Sequence, residues 1–139
     1  MTPRVFVDTA GLYALADHRD PARRAAESSV LQLMRSGGKL ILTDYIIDEA
    51  TTLARVRAGT RGALGLLEIA ERSEGFLFEW IGADRFETAK AYFRKHADHS
   101  YSFTDCTSFV VMRELGLTEA LTTDHHFAEA GFKVLLPMS

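Results

Sequence analysis

The stretch RVFVDTAGLYALAD, residues 4–17, joins two apolar segments through a single aspartate. RVFV predicts a short strand buried on both faces, because its apolar residues follow one another without polar alternation. TAGLYALA predicts a short helix that follows immediately. Asp8 therefore lies where the carboxyl end of a strand meets the start of a helix.

The same alternation continues along the chain. Further strands are predicted at KLILT, GFLFEWI, EALTTD and FKVLLP. Further helices are predicted from Asp20-Pro21 to Gly37-Gly38, from Asp44 to Ala58, over TRGALGLLEIAERS, from Asp84 to about His96, and from Thr104 to Gly116. Strands that alternate with helices favour a mostly parallel sheet covered on both faces. We therefore expect a three-layer α/β/α sandwich, in one domain over residues 1–139.

The helix ends carry their own signals. The predicted N-caps are Asp20, Asp44 and Thr104, Asp84 with Glu87 forms a predicted capping box, and Gly59 and Gly116 are predicted helix ends.

Composition limits the class of protein. The chain has 139 residues, 47% of them apolar and 25% charged, which is typical of a globular domain. No apolar run reaches the roughly 20 residues of a membrane helix, and the first residues lack the features of a secretory signal. The single cysteine cannot form an internal disulfide, so we expect a cytoplasmic protein without a membrane partner. The net charge of −3 does not indicate a nucleic-acid binder, although local patches matter more than the sum.

Three acids lie at strand ends or helix starts. Asp8 and Asp124 end predicted strands, and Asp105 lies in the first turn of a predicted helix. Ligands of open α/β sheets bind beyond the carboxyl ends of the strands, where these acids are expected to meet. Each could instead serve only as a helix cap or favour the helix dipole.

A fourth acid has no capping role. One face of its predicted helix is apolar and is formed by Ile46, Leu53 and Val56. Glu49 shares this face, whereas its neighbour Asp48 lies on a polar face. A carboxylate on an apolar face is costly unless a cation compensates its charge. Together the four acids predict an oxygen-rich site for Mg²⁺ or Mn²⁺.

Other candidate residues leave two interpretations open. Cys106 has no histidine in its helix to activate it, so we expect a small buried hydrophobe rather than a nucleophile. His125 and His126 could bind a metal or remain solvated.

The arginines and aromatic residues are also ambiguous. The arginines Arg55, Arg57 and Arg61 could form a solvated helix end or a patch that contacts phosphates beside the acids. The alternating residues Phe76, Phe78 and Trp80 predict one core-facing side of a strand rather than a surface that stacks on bases.

Four segments resemble, in order, the signature segments of PIN-domain nucleases, and most closely those of VapC-type toxins of type II toxin–antitoxin pairs. They are VFVDTAGLYAL, TDYIIDEATTLARVRAG, SFTDCTSFVVMRELG and ALTTDHHFAEAGF. The resemblance runs from Val5 to Leu136. It implies an endoribonuclease that uses Mg²⁺ or Mn²⁺ to activate water, acts on RNA, forms a homodimer and is blocked by a small antitoxin.

The resemblance also assigns residues. It places the catalytic and metal-binding acids at Asp8, Glu49, Asp105 and Asp124, and a supporting, substrate-side residue at Thr9. Some PIN domains carry another acid two positions after the last of these acids. Here that position is His126, which could reduce the number of metals held.

Three alternatives remain. The chain could be a PIN-like binding protein that keeps its acids for Mg²⁺-dependent stability or partner docking, or a PIN nuclease with a housekeeping role in RNA processing. A phosphatase with an aspartyl nucleophile is disfavoured, because such enzymes place a second aspartate two positions after the first and here that residue is Ala10.

Overall fold

The structure is a computed structural model that describes residues 2–72 and 74–138. Within these residues five strands form one sheet: β1 (Arg4–Val7), β2 (Lys39–Thr43), β3 (Phe76–Glu79), β4 (Glu119–Leu121) and β5 (Lys133–Val134). The strand order is β3-β2-β1-β4-β5, and all neighbouring pairs are parallel. The predicted α/β/α fold with a mostly parallel sheet is confirmed.

Helices connect the strands across both faces of the sheet. They are α1 (Thr9–Ala16), α2 (Arg23–Arg35), α3 (Asp44–Arg72), α4 (Gly82–Lys95), α5 (Phe103–Leu115) and α6 (His125–Glu129). The chain moves from β1 to β3 in one direction and returns to β4 and β5 in the other. Right-handed crossovers then put α1–α3 on one face and α4–α6 on the opposite face. The packing of α1 on α3 and of α4 on α5 agrees. The direction changes between β1 and β4, the position where ligands bind in such sheets.

The core is formed by both faces of the central strands. Phe6 and Val7 of β1 and Leu121 of β4 are buried, as are Phe109 and Phe127 of the covering helices. Burial of a large apolar side chain contributes about 1.5–3 kcal/mol, so these contacts hold the strand ends in place. None of the helices within residues 2–72 and 74–138 has the length and hydropathy needed to cross a membrane.

Two glycines shape the helices: one allows close packing of α1 on the sheet, and the other interrupts α3. A Cβ atom on Gly11 would lie 1.9 Å from the carbonyl oxygen of Leu121, so α1 packs directly on β4 only because this residue has no side chain. Gly59 has φ of 72° and interrupts α3, as predicted, between residues 44–58 and 60–72. The predicted second helix ends in Ser73, which lies outside the described residues.

Several predicted helix caps are wrong. The Thr43 hydroxyl accepts a hydrogen bond from Ile46 N–H and so caps α3, while the Asp44 carboxylate accepts one from Ile81 N–H. Ser102, rather than Thr104, caps α5. In each case the polar residue that caps lies one or two positions earlier, because the helix begins earlier than expected.

The remaining two caps are also wrong, because α2 begins later and α4 begins earlier than predicted. Asp20 accepts a hydrogen bond from Ala22 N–H in a turn, and α2 begins only at Arg23. Helix α4 begins at Gly82, before the predicted capping box of Asp84 and Glu87 could act on its first turn.

The predicted core face of Phe76, Phe78 and Trp80 is wrong for the last two residues, whereas Phe76 is partly buried against the core. Phe78 is 41% exposed and Trp80 is 70% exposed, and their rings pack edge to face with centroids 4.7 Å apart. The reason is the strand order, since β3 lies at the sheet edge. Val56 is also exposed, because the buried side of α3 is formed by Ile46 and the small residues Ala50 and Ala54.

Candidate active site

The four predicted acids line one cleft at the carboxyl ends of β1 and β4. The cleft has a volume of about 410 Å³, and Asp8, Glu49, Asp105 and Asp124 all contribute to its wall. They come from the end of β1, from α3, from α5 and from the end of β4. The sheet and two packed helices therefore bring together acids that are far apart in sequence.

Asp8 is held by the end of the strand and the start of α1. Its Oδ1 accepts a hydrogen bond from Gly11 N–H at 3.0 Å, and its Oδ2 accepts one from the Thr122 hydroxyl at 2.7 Å. Burial raises the pKa of Asp8 from 3.8 to about 7, against the lowering effect of these two donors, and the charges of Asp124 and Asp105 raise it further. Such a carboxyl is easily neutralised unless a cation lies nearby.

Asp105 both caps its helix and faces the cleft. Its Oδ2 accepts a hydrogen bond from Ser102 N–H, and the Ser102 hydroxyl accepts one from Asp105 N–H, each at 3.0 Å. Burial raises the pKa of Asp105; the charges of Asp124 and Glu49 act in the same direction, whereas the Ser102 N–H lowers it. The capping interpretation and the site interpretation are therefore compatible, because a carboxylate oxygen that accepts one hydrogen bond keeps a second lone pair for another partner.

Asp124 caps α6 and is tied to Asp8 through Thr122. Its Oδ1 accepts a hydrogen bond from His126 N–H at 2.9 Å, and its own N–H donates to the Thr122 hydroxyl at 2.9 Å. The same hydroxyl donates to Asp8. One buried threonine therefore fixes the spacing of the two acids that follow β1 and β4.

Glu49 is oriented by Thr9. The Thr9 hydroxyl donates a short hydrogen bond to Glu49 Oε1, and both residues line the cleft. Thr9 is the first residue of α1, and Glu49 lies in the part of α3 before Gly59. This hydrogen bond therefore also connects α1 to α3.

The two adjacent histidines differ in environment. His126 Nδ1 lies 3.3 Å from both Asp105 Oδ2 and Asp124 Oδ1. His125 is largely exposed, and its Nε2 lies 3.3 Å from Glu129. His126 Nδ1 thus lies close to two acids of the cleft, whereas His125 Nδ1 lies 4.0 Å from Asp124 Oδ1 alone.

The three predicted arginines differ in their distance from the acids. Arg57 lines the cleft and lies over the Tyr13 ring, 5.3 Å from its centroid. Arg55 is exposed and outside the residues of the cleft wall, and Arg61 lines a separate groove beside Tyr13. Of the predicted phosphate contacts, Arg57 is thus the one placed near the acids.

Cys106 does not belong to the cleft wall. Its side chain is fully buried, and burial, followed by the charge of Asp105, raises its pKa to about 11. The thiol is protonated near neutral pH, so the prediction of a packing role is confirmed.

Sequence reasoning missed several residues that shape the site. They are Thr122, which holds Asp8, Ser102, which holds Asp105, and Asp20, Pro21 and Thr123, which line the cleft. The repeated threonine before Asp124 was a usable signal for Thr122, because a hydroxyl at a strand end can bond a neighbouring strand's carboxylate. Asp20 gave no such signal, since its place in the wall depends on the loop between α1 and α2.

The donor set suits a divalent cation. Carboxylate oxygens are the ligands of hard cations, and the raised pKa values of Asp8 and Asp105 show that burial and mutual repulsion disfavour their charged forms without one. Asp105, Asp124 and His126 bring one ligand atom each within 4.8 Å of one another. The residues present therefore fit a bound metal ion.

Similarity to known proteins agrees with this geometry. The PIN domain family matches residues 5–133. The 23S rRNA-specific endonuclease VapC20 of Mycobacterium tuberculosis is 33% identical over 134 residues, which cover 96% of this chain and 98% of that protein. The crystal structure of this VapC20, described as a Sarcin-Ricin loop cleaving toxin, superposes with a TM-score of 0.83 at 31% identity, over 96% of this chain and 99% of that one.

A more distant structure shares the fold alone. FitAcB from Neisseria gonorrhoeae superposes with a TM-score of 0.61 at 14% identity, over 94% of this chain and 95% of that one. The family match covers most of the chain, and the four signature segments lie within it. The resemblance found in the sequence is confirmed: the chain belongs to the PIN-domain family and is similar to its VapC-type nucleases.

Proposed function

We propose that this protein is a metal-dependent endoribonuclease and the toxin of a toxin–antitoxin pair. The observation that carries the proposal is the convergence of Asp8, Glu49, Asp105 and Asp124 on one cleft. A cap-only role would not require acids from four separate elements to face the same space. The similarity to an rRNA-specific endonuclease over nearly the whole chain supports the same activity.

In this proposal Asp8 and Asp105 hold the principal cation, Mg²⁺ or Mn²⁺. Asp124 and Glu49 complete the site through water or a second cation. A divalent cation bound there supplies positive charge beside the scissile phosphate and makes a water molecule more acidic. The carboxyl of Asp8 must give up its proton to act as a ligand, which links metal binding to the pH of the solution.

The protein's own residues position the reacting groups. Thr122 holds Asp8, and Thr9 holds Glu49, so both carboxylates are pre-organised before RNA binds. Arg57 lies on the cleft wall over Tyr13, and this position supports the proposal that it contacts a phosphate of the substrate. Thr9 and Arg55 remain candidate substrate contacts, with Arg55 outside the cleft and suited only to a longer RNA.

The proposed substrate is a structured ribosomal RNA, the class named for the relative from Mycobacterium tuberculosis. A small antitoxin that covers the cleft, a homodimer, a cytoplasmic location and a single domain over residues 1–139 complete the proposal. Coexpression with a candidate antitoxin, followed by light scattering of the purified material, tests for the antitoxin complex. Light scattering of the protein alone tests for the homodimer.

RNA cleavage tests the activity. Wild-type protein with Mg²⁺ should cut ribosomes or a labelled rRNA hairpin, and EDTA should stop the reaction. Asp8→Asn and Asp105→Asn should each abolish cleavage with the fold retained in circular dichroism. Asp48→Asn is the matched control, since this acid lies on α3 one residue from Glu49 but is exposed and outside the cleft wall. Full activity of the Asp8 or Asp105 variant would refute the assignment.

A further inference from the structure

We propose that the imidazole of His126 is a nitrogen ligand for a divalent cation held together with Asp105 and Asp124, and that it shifts the preference of this position from Mg²⁺ towards Mn²⁺. The inference deepens the proposed nuclease function and rests on it for the role of the cation. It adds a nitrogen ligand to two of the four carboxylates, those of Asp105 and Asp124.

The distances fit a shared cation and are longer than those of a direct charge-assisted hydrogen bond. His126 Nδ1 lies 3.3 Å from Asp105 Oδ2 and 3.3 Å from Asp124 Oδ1. A charged N–H···O hydrogen bond is shorter, at about 2.7–2.9 Å. Two donors that each lie about 2.1 Å from one cation are about 3.0 Å apart at a right angle and about 3.4 Å apart at a tetrahedral angle. Both observed separations fall in that range.

The other ring nitrogen supplies the contact that an imidazole ligand requires. His126 Nε2 lies 3.0 Å from the Ser100 hydroxyl. When Nε2–H donates to Ser100, Nδ1 carries the lone pair and directs it at the two carboxylates. Histidine ligands commonly donate their second N–H to such a partner, which fixes the tautomer and the ring orientation.

Packing restricts the ring further. The Tyr101 ring meets the His126 ring edge to face, with centroids 5.6 Å apart and an interplanar angle of 85°. The His126 side chain is only 18% exposed, compared with 59% for His125. The nitrogen is therefore pre-organised beside the acids, and binding a cation would not have to order a free surface side chain.

Nitrogen ligation has a consequence for metal choice. Mg²⁺ prefers oxygen ligands and near-ideal octahedral geometry, whereas imidazole binds first-row transition-metal ions more readily. A site with two carboxylates and one imidazole should therefore hold Mn²⁺ more tightly than an all-oxygen site would, relative to Mg²⁺.

Pulsed electron paramagnetic resonance of full-length protein with bound Mn²⁺ tests the nitrogen directly. We expect a coupling to an imidazole nitrogen in the wild type, its loss in His126→Ala and His126→Asp, and its retention in His125→Ala. Calorimetric titration should show Mn²⁺ affinity falling about 10-fold or more in His126→Ala, with Mg²⁺ affinity changed less than about 3-fold. His126→Asp keeps a ligand at this position and guards against a variant that fails to fold.

Three results would overturn the inference: bound Mn²⁺ without nitrogen coupling, coupling that survives in both His126 variants, or coupling lost in His125→Ala. A wild-type protein that cleaves RNA with Mg²⁺ but shows no nitrogen coupling would refute the inference and leave the nuclease proposal standing. The converse result, nitrogen coupling in a protein that cuts no RNA with any divalent cation, would refute the proposed function alone.

Discussion

The Thr122 hydroxyl donates a 2.7 Å hydrogen bond to Asp8, a residue 114 positions earlier in the sequence. The same oxygen accepts from the N–H of Asp124, so one buried side chain connects the two strands at the point where the sheet changes direction. This threonine touches no substrate in the proposal, yet it determines where Asp8 lies and lowers the pKa of that carboxyl.

Replacing Thr122 by Val should therefore affect both stability and the pH dependence of cleavage. The Asp8 carboxylate loses a donor and Asp124 N–H loses an acceptor, which should reduce the free energy of unfolding by about 1–3 kcal/mol. The pKa of Asp8 should rise, so the acid limb of the pH–rate profile for RNA cleavage should move to higher pH. Thr122→Ser keeps the hydroxyl and should restore the wild-type profile; an unshifted limb in the Val variant would contradict this role.

Gly11→Ala should disturb the cleft without changing any acid. Its Cβ would lie 1.9 Å from a backbone oxygen of β4, so α1 must move and take the Asp8 cap and Thr9 with it. We expect a loss of at least about 2 kcal/mol in urea unfolding and a marked fall in cleavage. Gly65→Ala is the control, because that helical position has nothing within 4 Å and should gain up to about 1 kcal/mol. Equal stability of the two variants would be inconsistent with the close packing of α1 on β4.

Without divalent cations, stability should decrease as the pH rises from about 4 to 7. The pKa of Asp8 is raised from 3.8 to about 7 in the folded protein. Between these two pH values the folded state binds this proton more tightly than the unfolded state does. The stability that this proton provides is therefore lost as the pH rises towards 7 and the carboxyl ionises. The full effect of a shift of about 3 units is up to about 4 kcal/mol. Urea unfolding in EDTA at about pH 5 and about pH 7.5 measures the trend.

The Asp8→Asn variant separates this carboxyl from the others. Its stability should change less over the same pH range, because the amide cannot ionise. Millimolar Mg²⁺ or Mn²⁺ should raise the melting temperature of the wild type most at the higher pH, where the carboxyl is ionised and unpaired. A melting temperature that is insensitive to both cations would count against a metal site in the cleft.

Arg57 and Arg55 should differ in their contribution to RNA binding. Only Arg57 lines the cleft, although the two residues are neighbours on α3. Measured by fluorescence anisotropy in the Asp105→Asn background, Arg57→Gln should weaken binding and reduce the slope of log affinity against log salt by about one. Arg55→Gln should leave the slope nearly unchanged for a short hairpin. A larger loss of slope in Arg55→Gln than in Arg57→Gln would contradict the prediction and would place the RNA phosphates on the outer face of α3.

The sequence predicted the architecture and the convergence of the four acids on one edge of the sheet, because both depend on local signals. Apolar runs set the strands, and helical spacing placed Glu49 beside Ile46 even though Val56 is exposed. The choice of cap was harder, since Ser102, Thr104 and Asp105 all lie within one turn and only the final start of α5 decides between them. The exposure of Phe78 and Trp80 depends on which strand lies at the sheet edge, a property of the whole topology. The position of His126 depends on the loop that carries Ser100 and Tyr101, which local patterns do not place.

The order of the strands also determines when during synthesis the cleft can form. Strand β1 is made early, but its partner β4 is separated from it by β2, β3 and the five helices α1 to α5. A nascent chain that ends before β4 has neither Thr122 to hold Asp8 nor Asp124 to complete the set of acids. The cleft can therefore assemble only after residues 119–124 have been translated and β4 has paired with β1.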